Sequence, residues 1–139
     1  MRSGVILDSG PLVAYLVETD NHHAWVCDQM DTMEAPFWTC EAVLTEAMFL
    51  VRSVPRLREA IMQMLGSGFL KINFQVADHH AALLAMIERY NNVPMSLADA
   101  CIVRMAELLP QSHVFTLDSD FHVYRKNTRH VIPTITPRV

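Results

Sequence analysis

The chain lacks the long apolar run that a membrane helix requires: nothing in its 139 residues approaches roughly 18 consecutive apolar positions. The N-terminus reaches Asp8 before a signal-peptide apolar region could develop, so a cytoplasmic protein with no membrane association is expected. Cysteine is scarce. Cys27, Cys40 and Cys101 are odd in number, show no C-x-x-C spacing and sit among apolar neighbours, which argues against a disulfide framework or a zinc site and predicts buried thiols. Long basic blocks are missing as well. Arg52, Arg56 and Arg58, with Arg125, Lys126 and Arg129, are small clusters in a chain with 11 Lys+Arg against 15 Asp+Glu and a net charge of −4. That balance excludes an ordinary duplex-DNA binder. It leaves room for a nucleic-acid substrate only if cations mask the carboxylates and the basic clusters lie beside the site.

What is present is apolar. Half of the chain (51%) is hydrophobic and 19% is charged, more apolar than an average soluble domain, so some of this surface is expected to be covered by a partner as well as by the core. The length suits one domain, residues 1–139, burying roughly two thirds of its unfolded surface. Short apolar runs with strand character at Val5-Ile6-Leu7, Ala35-Pro36-Phe37-Trp38, Phe69 to Phe74, Val114 to Leu117 and Val131-Ile132 alternate with helical spacings. The helices are expected after Pro11, from His22 to about Met33, from Cys40 to Val54, from Pro55 to the breaker Gly66-Ser67-Gly68, from Val76 to Tyr90, from Ser96 to Leu109, and briefly from Ser119 to Lys126. Such alternation predicts an α/β fold, a three-layer α/β/α sandwich about a mainly parallel sheet, with the first and fourth strand ends on one side.

Carboxylates stand where that fold is dry or where its strands end. Asp8 and Asp118 each follow an apolar strand, a position that suits either a helix cap or a ligand site. Glu46 has Ala42, Val43, Phe49 and Leu50 as its helical neighbours, so it is expected on an apolar stripe, where an ionised group costs several kcal/mol unless it is metal-bound or paired, for instance with Arg104. Asp99 stands in Ser96-Leu97-Ala98-Asp99, which has capping-box spacing, and its neighbours belong to a core-facing helix. Four such acids in one pocket would repel one another unless a cation neutralised them. Hard oxygen donors without a nearby His or Cys suit Mg²⁺ or Mn²⁺.

The stretches Ile6-Leu7-Asp8-Ser9, Leu44-Thr45-Glu46-Ala47, Ser96-Leu97-Ala98-Asp99-Ala100 and Phe115-Thr116-Leu117-Asp118-Ser119-Asp120-Phe121 resemble, in order and spacing, the four acidic motifs of PIN-domain ribonucleases, particularly the VapC-like toxins of toxin–antitoxin pairs. The resemblance spans nearly the whole chain. It implies a metal-dependent endoribonuclease with Mg²⁺ or Mn²⁺ held by Asp8, Glu46, Asp99 and Asp118 and supported by Ser9 and Thr116. Within the last motif, family members differ in which acid faces the metal, so Asp118 ranks first and Asp120 stays open. Either is the candidate proton acceptor from the attacking water. The resemblance further implies an RNA substrate, a homodimer, and an antitoxin whose peptide lies in an apolar groove.

Two other classes compete with that reading. A noncatalytic binding module would use the same acids as caps and salt bridges. A phosphohydrolase with Asp8 as nucleophile would need a second Asp where Gly10 stands. The adjacent pairs His22-His23 and His79-His80 do not share a helix face and are expected in solvent. Trp25, Trp38 and Phe49 are expected to pack rather than to stack on bases.

Overall fold

In the computed structural model, which describes residues 1–137, the elements run β1 (Val5–Leu7), α1 (Ser9–Leu16), α2 (His23–Met30), β2 (Phe37–Thr39), α3 (Glu41–Leu50), α4 (Pro55–Gly66), β3 (Leu70–Ile72), α5 (His80–Arg89), α6 (Leu97–Leu108), β4 (His113–Phe115), β5 (Arg125–Lys126), β6 (His130–Val131) and β7 (Thr134–Ile135). The main sheet has five parallel strands in the order β3-β2-β1-β4-β7, and β5 and β6 form a separate antiparallel pair. All three residues of β1 are fully buried, as a central parallel strand covered on both faces must be. Each such side chain contributes roughly 1.5–3 kcal/mol of hydrophobic stabilisation.

The strands feed two cores by their period-two alternation. Ile6 and Val114 face one side with α5, α6, Phe121 and Tyr124. Val5, Leu7, Phe37, Leu70, Phe115 and Ile135 face the other with α1, α2 and α4. Helix α3 belongs to both layers, giving Val43 to the first core and Leu44 and Ala47 to the second.

From β1 the chain works outward to β2 and β3, then returns to place β4 on the opposite side of β1, in register Val5↔His113, Ile6↔Val114 and Leu7↔Phe115. Between β1 and β4 the winding therefore reverses. A crevice opens outside the carboxyl ends of parallel strands at such a reversal, because the connections leave in opposite directions.

Several local expectations change. Helix α3 stops at Leu50, not Val54, and residues 51–53 form a turn before Pro55 starts α4. Nor is α3, apolar nearly all round and so expected to be buried, covered on every side: Phe49 and Leu50 are 61% and 55% exposed, and the Arg52 guanidinium lies 4.0 Å from the centre of the Phe49 ring. Val76–His79 is a 3-10 turn leading into α5, and Ser119–His122 is another in place of the longer helix expected there. The closing strand of the main sheet is Thr134–Ile135, not Val131-Ile132, because Val131 turns outward to pair with Arg125. Pro133 and Pro137 bracket this strand, and proline is tolerated at such an edge. Cys40 and Cys101 are buried as expected, but Cys27 is half-exposed, with its Sγ 3.5 Å from Nε2 of His23. Each histidine pair divides: His22 and His80 are exposed, whereas His23 bonds the Ala14 carbonyl at 2.7 Å and His79 stacks on Phe74 and accepts from Arg104 Nε.

Candidate active site

At the reversal point lies a cleft of about 410 Å³ lined by Asp8, Ser9, Gly10, Glu46, Ser96, Asp99, Leu117 and Asp118. Asp8 continues the β1 ladder by one residue, its N–H donating to the Phe115 carbonyl, and then caps α1 by accepting from Ser9 N through Oδ1 at 2.8 Å. Its Oδ2 accepts from the Thr116 hydroxyl at 2.7 Å, and the same hydroxyl oxygen accepts from Asp118 N at 3.0 Å. Thr116 is fully buried, so one side chain ties the ends of β1 and β4 together. Gly10 makes this junction tight: a Cβ there would come 3.3 Å from Cβ of Leu117, closer than ordinary van der Waals contact.

Asp99 closes the cleft from the start of α6. It forms the capping box the sequence predicts: Asp99 N donates to Ser96 Oγ at 3.0 Å, and Ser96 N donates to Asp99 Oδ2 at 3.2 Å. A second donor to Oδ2 is the hydroxyl of Tyr124, at 3.2 Å. Asp118 caps its own 3-10 turn by accepting from Asp120 N through Oδ1. Glu46 reaches the cleft from α3, its Oε1 accepting from Ser9 Oγ at 3.2 Å. Asp120 is not among the lining residues; its carbonyl instead accepts from Val123 N and Tyr124 N.

Burial falls most on Asp8 and Asp99 rather than on Glu46, the acid expected on an apolar stripe. Asp8 is 5% exposed and Asp99 9%, whereas Glu46 is half-buried, because its neighbours Phe49 and Leu50 face solvent rather than core. Arg104 is not its partner either; that guanidinium pairs with Glu107 at 3.1 Å. Desolvation raises the Asp8 pKa to about 6 against the pull of the Thr116 and Ser9 hydrogen bonds, and the charges of Asp99 and Glu46 push it the same way. Asp99 is raised, first by burial and further by the Asp118 charge, and Glu46 is raised by burial and by the charges of Asp99 and Asp118. The four carboxylates thus act on one another, and none of the residues lining the cleft is Lys or Arg.

The backbone arrangement has been seen before. A solved structure from Mycobacterium tuberculosis, VapC20, a sarcin-ricin loop cleaving toxin, matches with a TM-score of 0.78 over 93% of this chain and 99% of that one, at 17% sequence identity. The fold is that of a PIN domain. At this identity the likeness is one of fold, and no protein-family model and no curated sequence matches the chain. In this PIN fold the acids of all four sequence stretches meet at the carboxyl edge of the sheet, with Asp118 rather than Asp120 on the cleft wall.

The donor set suits a hard divalent cation. Among the described residues, Oδ1 of Asp99, Oε2 of Glu46 and Oδ2 of Asp118 take no hydrogen bond, so each of three carboxylates keeps one oxygen for a ligand. Among the described residues, no three Asp, Glu, His or Cys side chains form a ready-made cage around one point. Mg²⁺ does not require one, since it keeps several waters and is usually held by one or two carboxylates.

Sequence reasoning missed Tyr124. Its one signal was position, an aromatic residue shortly after an acidic motif, and nothing in the pattern pointed its hydroxyl toward Asp99.

Proposed function

We propose that the chain is a metal-dependent endoribonuclease that hydrolyses RNA phosphodiester bonds and serves as the toxin of a type II toxin–antitoxin pair. One observation carries the reading: four carboxylates, two of them nearly buried, share a cleft lined by no Lys or Arg at the topological reversal of a PIN fold. Asp8, Asp99 and Asp118 each also serve as a cap, but capping alone does not require four acids to share one cleft without a base.

In this reading residues 1–139 form a single PIN-like domain, and Asp8, Glu46, Asp99 and Asp118 hold Mg²⁺ or Mn²⁺. When bound, the cation supplies charge neutralisation at the phosphate and at the leaving oxygen. The chain's own groups do the rest. Thr116 and Ser9 fix Asp8, so that its carboxylate does not swing when substrate arrives. Of the two acids in the last motif, Asp118 stands on the cleft wall and is the better placed to accept a proton from the attacking water when its Oδ2 is not engaged by the cation, and Asp120 is the reserve candidate.

The partners follow from surface chemistry. A groove of about 420 Å³ between α1 and α4, lined by Tyr15, Leu16, Met64 and Phe69 among others, offers an apolar seat for an antitoxin peptide. Exposed Phe49 and Leu50 are consistent with burial in a homodimer. No helix among the described residues is long and apolar enough to cross a membrane, which agrees with cytoplasmic action.

Purified protein should cleave RNA with Mn²⁺ or Mg²⁺ and lose cleavage in EDTA. Asp8→Asn and Asp99→Asn should abolish it while circular dichroism and melting report an intact fold; full cleavage by both variants would remove the assignment.

A further inference from the structure

We propose that Tyr124 is a positioning residue for Asp99, its buried hydroxyl fixing Oδ2 so that Oδ1 is the oxygen left for a cation. The proposal rests on the metal-dependent reading above and assigns it a residue outside the four acids. Tyr124 is 0% exposed. Its ring is wedged edge-on between Phe121, at 5.2 Å and 89° between ring planes, and Tyr90, at 5.1 Å and 68°. Its N–H is tied to the Asp120 carbonyl at 3.1 Å. A side chain so packed has no rotamer freedom left to lose, and its hydroxyl is aimed at one place.

A buried tyrosine hydroxyl normally finds some acceptor, so a hydrogen bond alone would mean little. Here the acceptor is a cleft carboxylate, and the oxygen chosen is the one already receiving Ser96 N. Two donors converge on Oδ2 while Oδ1 takes none among the described residues. Without Tyr124 the capping box alone would hold the carboxylate, and a single hydrogen bond leaves it free to rotate about its last torsion. Asp118 and Tyr124 flank the same 3-10 turn, so one segment supplies an acid and orients another across the cleft. Partners that orient a metal ligand typically change affinity by about 10–100-fold when removed.

The test is Mn²⁺ binding, read by electron paramagnetic resonance of the free ion, on the full chain without RNA. Tyr124→Phe deletes one oxygen and should weaken Mn²⁺ binding about tenfold. Tyr90→Phe deletes a neighbouring hydroxyl that accepts from Arg125 N at 2.9 Å and touches no acid, and it should leave binding at the wild-type value. In an Asp99→Asn background, Tyr124→Phe should produce no further weakening, since its effect passes through Asp99. If Tyr124→Phe folds poorly, 4-fluorophenylalanine at position 124 fills the hydroxyl's volume without a proton to donate and should give the same tenfold loss. Wild-type protein that binds Mn²⁺ beside a Tyr124 variant that binds it equally well overturns the role of Tyr124 and leaves the nuclease reading standing. Wild-type protein that binds no Mn²⁺ overturns both.

Discussion

The acidic cleft has a buried side and an open side. Asp8 and Asp99 lie on the buried side, each held by two donors, Ser9 N and Thr116 Oγ1 for the first, Ser96 N and Tyr124 Oη for the second. Glu46 and Asp118 lie on the open side, each held by one, Ser9 Oγ and Asp120 N. The buried pair is preorganised at a cost in charge repulsion and desolvation; the open pair is less constrained and less desolvated. A site built this way can keep a fixed floor and still adjust to a substrate at its mouth.

The comparison is tested most strongly by neutralising the floor. Asp8→Asn or Asp99→Asn should reduce Mn²⁺-dependent RNA cleavage by more than about 100-fold, since on the proposed reading each removes a ligand held in place by two donors, a larger loss than that of an orienting partner or of a ligand held by one. A next, smaller effect is on stability. Burial raises the Asp8 pKa from 3.8 to about 6, so folding favours its neutral form. The stability tied to that neutral acid is fully present below pH 3.8 and is lost as pH rises through about 6. Metal-free protein should therefore melt at a lower temperature at pH 7.5 than at pH 5, Mn²⁺ should restore the difference, and Asp8→Asn should flatten it. Between pH 5 and pH 7.5 the energy at stake is about 1.4 kcal/mol for that group. A melting temperature that rises steadily from pH 5 to 7.5 without metal would contradict the burial account.

On the open side, Glu46→Gln and Asp118→Asn should each cost about 10–100-fold in cleavage, and Asp120→Asn less than either. A loss at Glu46 equal to that at Asp8 would erase the distinction between the two sides. Smallest of all, Arg104→Met should leave cleavage unchanged, because its bridge to Glu107 lies within α6 and does not reach the cleft.

Fold class and the four acids were legible because they rest on local patterns: apolar triplets ending on Asp8 and Asp118, and the capping-box spacing of Ser96 and Asp99. Glu46 was found for a reason that fails in part. Its helical neighbours are apolar, but hydrophobicity does not tell which apolar residues face the core, and Phe49 and Leu50 face outward. The edge strand Thr134–Ile135 was invisible because two residues carry no periodicity, and its place depends on pairing with β4, a distant segment. Tyr124 escaped for the same reason: its partner lies 25 residues away in the chain.

The capping box at the start of α6 has a consequence for judging copies of this gene that have lost their activity. On the proposed nuclease reading Asp99 has two employments, one in the helix cap and one in the cleft, and the first persists when the second is gone. Glu46 has no such second post; among the described residues its side chain accepts from Ser9 alone. In a decaying copy, position 99 would stay acidic long after catalysis ceased, while position 46 would drift early. Glu46, the less buried of the two, is the better indicator that a copy still works.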